Sequence, residues 1–173
     1  MQKKTNIQKA LKRKYPEQIV LVTTAVPGGG ANIMAVGWTA IASEEPCMFM
    51  LGIDDGAYTY QLIRKTKEFV VAFPNEKMRR EVLFAGTRHG QHCDKIAASG
   101  LRLQKAGKVR APLLADAVAN FECKLVRVYR PGDCPLVVGE VVAAHENKNA
   151  GLKRLYTVGA GYKMAGVRAR MKG

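Results

Sequence analysis

Two late segments constrain the fold of this chain more than any other feature. Ala119–Tyr129 (ANFECKLVRVY) alternates along its length, Pro131-Gly132-Asp133-Cys134-Pro135 turns the chain, and Leu136–Ala144 runs back. Period-two alternation around a proline–glycine turn is the pattern of a long antiparallel hairpin. Phe121, Cys123, Leu125 and Arg127 are predicted to face one way, with Glu122, Lys124, Val126 and Val128 opposite. A hairpin of this length must bury its apolar face against other elements, and the first half of the chain supplies them. Ile19–Val26 (IVLVTTAV) is β-branched, ends at Pro27-Gly28-Gly29-Gly30, and pairs as a hairpin with a second strand over Asn32–Ala42. After the turn Glu44-Glu45-Pro46, the apolar run Cys47–Ile53 suits a buried strand, and Glu68–Phe73 is another that stops at Pro74.

The helices are few and short. Ala57–Lys67 follows Asp54-Asp55-Gly56 and sets Tyr58, Leu62, Ile63 and Thr66 at helical spacing. Asn75 is placed to cap a helix over Glu76–Ala85, with Met78, Val82 and Leu83 on one side and Gly86 just past its end. A third helix, Asp94–Ser99, is closed by Gly100. Roughly six strands with helices between them predict a mainly β fold with peripheral helices, a closed or split antiparallel β-barrel. A parallel dinucleotide-binding sheet would need regular alternation with longer helices.

With 173 residues, no repeat and no flexible linker, the chain reads as a single domain, 1–173, with a basic N-terminal segment 1–14 and a basic tail 167–173. Leu, Ile, Val and Phe account for 42 residues, enough for a core without a metal or disulfide staple. No membrane span is expected, because the aliphatic run Ile19–Val22 is far short of the roughly 20 residues needed. The N-terminal segment lacks the apolar run of a signal peptide, so the expected compartment is the cytoplasm. It reads as a solvated helix, with a nucleic-acid- or lipid-binding arm as the alternative.

Lys and Arg number 28 against 14 Asp and Glu, a net charge of +14 that attracts nucleic acid, anionic lipid or a phosphorylated cofactor alike. Cys47, Cys93, Cys123 and Cys134 show no short metal-type spacing and are expected to be free thiols in a reducing cytosol. One metal hypothesis is His89, His92 and Cys93 with Cys123 or Cys134, but a structural zinc site normally shows two close ligand pairs, and one is visible.

The familiar phosphate fingerprints fail. Gly28-Gly29-Gly30 lacks the dinucleotide spacing, Gly159-Ala160-Gly161 is followed by Met164 where a third glycine is needed, and Gly107-Lys108 has Arg102 and Val109 at the defining P-loop positions. A subtler site is the start of the helix after Gly56. Thr59 lies in or near its first turn, among unpaired backbone N–H groups, and either helps cap the helix or donates to a phosphate oxygen. Arg88 and Lys95 are surface cations or the charge partners of that phosphate. Trp38 is the only tryptophan. It is either a core or interface anchor or the wall of a planar heterocycle, with backbone groups of Gly37–Ala40 available for hydrogen bonds.

The order Asn32-x-Met34-x-x-x-Trp38-Thr39, Glu45-Pro46, Tyr58-Thr59, Glu68-Phe69-Val70-Val71, Asp94-Lys95, Ala111-Pro112, Phe121-Glu122-Cys123-Lys124, Gly132-Asp133 and Val138-Gly139-Glu140-Val141 resembles the flavin reductase-like family, nearest its flavoredoxin-like branch. The match runs from about Tyr15 to about Gly166. The resemblance implies an FMN-binding split β-barrel, generally a homodimer with two FMN sites near the subunit interface. It places Asn32, Trp38 and Thr39 beside the flavin, with Gly37 and Ala40 in the same run. Tyr58-Thr59 then meets the phosphate, with Lys95 as cationic partner and Arg88 nearby. The branch often has histidine after the Gly-Asp turn, where this chain has Cys134.

The chemistry is then that of FMN, with no catalytic side chain of the protein's own. The leading expectation is an FMN oxidoreductase. It is either an NAD(P)H-dependent flavin reductase, with NADH or NADPH as donor and free flavin as acceptor, or an electron carrier between redox partner proteins. The alternative is a basic β-barrel that binds nucleic acid, against which stand an aromatic content of 7% and the lack of a base-stacking aromatic cluster.

Overall fold

Antiparallel pairing begins where the sequence alternates most regularly. A computed structural model describes residues 1–168. Its first half runs α1 (Ile7–Leu11), β1 (Glu17–Gln18), β2 (Val20–Ala25), β3 (Ala31–Val36), β4 (Thr39–Ser43), β5 (Met48–Gly52), α2 (Tyr58–Thr66) and β6 (Glu68–Phe73). The second half adds α3 (Arg79–Thr87), α4 (Lys95–Ser99), β7 (Leu103–Gln104), β8 (Leu113–Leu114), β9 (Ala119–Tyr129), β10 (Leu136–Glu146), β11 (Arg154–Gly159) and β12 (Lys163–Val167). The predicted hairpin of β9 and β10 is the spine of an antiparallel seven-stranded sheet, in the order β3-β2-β6-β9-β10-β5-β4.

The two edges of that sheet are neighbours in sequence. β3 and β4 occupy opposite ends of the order yet are joined by Gly37-Trp38 alone. Laid flat, seven strands at about 4.8 Å spacing would hold their outer strands about 29 Å apart. Three Cα steps from Val36 to Thr39 reach at most about 11 Å. The sheet therefore curls until its edges meet, which makes it a split antiparallel β-barrel with peripheral helices.

This closure corrects the expectation of one strand over Asn32–Ala42. The chain breaks at a tight turn in which Thr39 N–H donates to Gly37 O at 3.1 Å, a three-residue reversal that ends β3 and sends β4 to the far edge. A second correction lies in β9. Leu125 pairs with Gly139 and Arg127 with Val138, so Val126 is an extra, unpaired residue. Such a bulge reverses the alternation beyond it. Val128 packs on the core where Arg127 was expected, and Arg127 is exposed.

The barrel interior holds Val20, Val22, Leu51, Phe69, Val71, Cys123 and Val137, and α2 adds Tyr60 and Ile63. Gly139 is required where it stands: a Cβ there would lie 2.3 Å from Phe69 Cζ. Burial pushes the Cys123 thiol up to about 12, so it stays a neutral core group. A second apolar cluster, with Leu21, Ile33, Met78, Val82, Ala85 and Ile96, seats α3 and α4 against the sheet.

The α3 helix begins later than predicted, at Arg79 rather than Glu76, and keeps Gly86 inside it. Asn75 is bridged to Arg154, and Glu76 N–H donates to Lys153 O, so these residues are tied to β11 and cannot enter the helix. The three-stranded sheet β1-β11-β12 goes beyond the roughly six strands expected. In α1 no residue is buried, and Asn6 caps it by accepting from Gln8 N–H. Of the basic tail 167–173, residues 169–173 lie outside the described residues.

Candidate functional site

The seam between β3 and β4 opens onto a cavity of about 740 Å³, within the range typical of small-molecule sites. One wall is the run Met34–Trp38. Across from it stand Val82, Leu83, Gly86 and Thr87 of α3, and Cys134 and Tyr162 come from two turns. Small residues let α3 close on the strand: a Cβ on Gly86 would lie 3.3 Å from Ala35 Cβ. Trp38 is 63% exposed, so it is no core anchor. Its indole rests on Gly52, where an added Cβ would meet Trp38 Cε3 at 3.1 Å, and Gly52 N–H donates to Trp38 O at 2.7 Å. Gly37 packs beside the Glu17 carboxylate and lines the cavity. Thr39 and Ala40 continue onto β4, where Ala40 pairs with Met50.

A second cluster forms two residues back along β3, on the same face as Met34. Asn32 is buried, and its Nδ2 donates to Thr59 Oγ1 at 2.8 Å. Thr59 is buried in the first turn of α2, whose N-cap is Ala57 with no side-chain cap bond. Capping is therefore not its role. Tyr58 flanks it, and the backbone of Gly90 presses on both, with an added Cβ 2.0 Å from Asn32 Oδ1 and 3.3 Å from Tyr58 Cδ1. Asn32, Tyr58 and Thr59 are thus brought together, which sets Asn32 with the residues expected at the phosphate and not with Trp38 and Thr39.

Four buried side-chain polar atoms lack a partner among the described residues, and two of them, Asn32 Oδ1 and Thr39 Oγ1, belong to predicted site residues. Exchanging the amide oxygen and nitrogen of Asn32, which share one shape, lets the Thr59 hydroxyl donate to it. Either assignment leaves one buried polar atom free.

The predicted cations take different places. Lys95 is buried, and its Nζ donates to Ala85 O at 3.0 Å and Arg88 O at 3.1 Å. It closes the C-terminal end of α3, where carbonyls lack helical partners. Burial lowers its pKa from the ordinary lysine value. One N–H of the ammonium remains to donate elsewhere. Arg88 is exposed, with its guanidinium 6.0 Å from the Phe84 ring centroid.

Sequence reasoning passed over Gly86, Gly90 and Tyr162, whose places here come from packing and not from any local pattern. It also missed Glu122, a fully buried carboxylate on β9. Burial works to raise its pKa, but N–H groups of Gly107, Lys108 and Val109 and the His145 ring outweigh that and hold it below the ordinary glutamate value. The cluster is self-contained and does not line the cavity.

Comparison with known proteins gives concordant results. The family described as "Flavin reductase like domain" matches residues 12–165. An uncharacterized protein of Pyrococcus abyssi is 36% identical over 75% of this chain and 73% of its own length. Among solved structures, flavoredoxin of Desulfovibrio vulgaris (Miyazaki F) superposes with a TM-score of 0.85 at 21% identity, covering 99% of this chain and 97% of that one. The FMN-binding protein of Thermus thermophilus with bound 1-cyclohex-2-enone gives 0.83 at 21% identity, covering 100% and 98%.

Proposed function

The chain belongs to the flavin reductase-like family, and from that premise we propose that it is an FMN-binding oxidoreductase. The observation that carries this reading is the pair of unpartnered polar atoms, Asn32 Oδ1, which lies against Gly90, and Thr39 Oγ1, on the residues that bracket in sequence the cavity-lining run Met34–Trp38. Buried polar groups normally have partners. A ligand spanning this run and offering hydrogen bonds at both ends supplies them, and FMN is such a ligand. Asn32, Thr59, Lys95 and Trp38 would hold FMN, which would supply hydride and single-electron transfer chemistry there.

The residues divide the binding. Asn32, Thr59 and the first turn of α2 suit the phosphate end, since a helix start presents free N–H groups to an anion. Lys95 adds charge through its remaining N–H, and Arg88 stands at the same end of α3. Trp38 and the backbone of Gly37–Ala40 suit the flavin ring, and the apolar cavity wall keeps water from it. Electrons come from NADH or NADPH, or from a redox partner protein, and leave to free flavin or to a second partner. The alternative of a nucleic-acid-binding barrel draws on net charge alone.

The proposal extends to assembly and compartment. Trp38, 63% exposed in the joint before edge strand β4, and Ile41, 69% exposed at the centre of that strand, are apolar residues that suit contact with a second copy of the chain. Four free cysteines suit the reducing cytosol. No helix of the described residues is long and apolar enough to cross a membrane.

Fluorescence-quenching titration with FMN and riboflavin tests the reading. FMN should bind at least about tenfold tighter, since charge-assisted contacts to its phosphate contribute about 1.5–3 kcal/mol each. Equal affinities, or no flavin binding, would reject it. Light scattering should report twice the 18.9 kDa chain mass.

A further inference from the structure

A cationic groove of about 340 Å³ adjoins the cavity, lined by Arg79, Arg80, Leu83, Tyr162, Lys163 and Met164. Leu83, Tyr162 and Met164 line both, so the two spaces are continuous. Arg79, Arg80 and Lys163 are exposed and make no ion pair among the described residues. Arg79 and Arg80 are also the first two residues of α3, where the helix dipole disfavours cations. Glu81 is the acidic residue of the same first turn, and the two arginines are not paired with it, so their charge is free for an anionic ligand. Tyr162, 68% exposed and held at φ 58° in the β11–β12 turn, offers a flat apolar face beside them.

We propose that this groove binds the adenosine end of NADPH, with Arg79, Arg80 and Lys163 on its 2′-phosphate and Tyr162, Leu83 and Met164 against adenine. The inference rests on the oxidoreductase reading and names its electron donor. A dinucleotide whose nicotinamide end occupies the cavity reaches the groove across the shared residues. Three unpaired cations there favour the donor that carries an extra phosphate at that end, and NADH lacks it.

The test is calorimetric titration of the purified protein with 2′,5′-ADP and with 3′,5′-ADP, with and without saturating FMN. The two probes carry the same two phosphomonoester groups and the same charge, so a groove that merely collects anions treats them alike. We expect 2′,5′-ADP to bind at least about tenfold tighter. The double variant Arg79→Gln, Arg80→Gln should abolish that preference while FMN affinity stays unchanged. Its thermal midpoint should not fall, because the substitutions remove cations from a helix start. Equal affinities, or a preference that survives in the variant, would overturn the assignment. If the preference holds and FMN fails to bind, the groove stands and the flavin reading falls.

Discussion

Two regions of this barrel bury polar side chains, and they treat them in opposite ways. On β9, Glu122 takes three backbone N–H donors and a histidine, and Asn120 bonds Leu114 through both N–H and C=O. Every acceptor there is used inside the protein. At the seam, Asn32 and Thr39 each keep a buried polar atom without a partner. Since an unmet buried group costs about 1–3 kcal/mol, the first region holds the fold together, and the second leaves hydrogen-bonding capacity that the proposed FMN would use. Burial alone is the same in both regions. The completeness of their hydrogen bonding differs.

The largest effect is expected at Glu122. Replacing it with alanine strands three N–H groups and should lower unfolding free energy by about 3–5 kcal/mol, measured by urea denaturation. A loss below about 1 kcal/mol would make the cluster incidental. Asn32→Ala should do the reverse, weakening FMN by about tenfold or more while costing less stability than the Glu122 variant, because its Oδ1 has no partner to lose and its Nδ2 gives up the bond to Thr59, worth about 1 kcal/mol. Trp38→Ala should likewise leave circular dichroism unchanged, given the ring's exposure, and weaken FMN and riboflavin alike. Unfolding of either rim variant would contradict the division.

Acid should affect the interior first. The Glu122 carboxyl is held below the ordinary glutamate value, so its stabilisation is complete above about pH 4.3 and is lost as pH falls through the lower native value. Glu122→Gln should start less stable and lose less on acidification. Parallel stability–pH curves for the two proteins would rule this out. The smallest effect expected is in thiol labelling. Cys123, pushed up to about 12 and fully buried, should resist iodoacetamide in the native state. Cys134, half-buried in the cavity wall, should label slowly, and saturating FMN should protect it. Mass spectrometry of the labelled peptides would show whether the order reverses.

Much of the interior was readable because a strand's chemistry is local. The alternation of Ala119–Leu125, the Gly100 stop after α4, and the Pro74 end of β6 all follow from residues next to one another. The bulge at Val126 was not, because nothing in LVRVY marks which residue loses its partner. The break at Gly37-Trp38 was missed for a related reason: one β-rich run serves two edges, and only closure of the whole sheet requires it to turn. For the site, the resemblance named Trp38, which lines the cavity, and Asn32 and Thr59, which the structure pairs away from it. It could not foretell that Lys95 would close α3, since that depends on how two helices meet on the sheet.

The two-residue joint at the seam also sets the terms on which this site can change. Because Gly37-Trp38 ties both edges of the sheet, the Met34–Trp38 wall of the cavity is held in place by closure of the barrel, whereas the rest of its lining comes from α3 and from the turns that carry Cys134 and Tyr162. One wall is therefore constrained by the whole sheet, and the others can change by local substitution. New specificities are expected to arise on the α3 and turn side, with the strand side kept as a fixed reference.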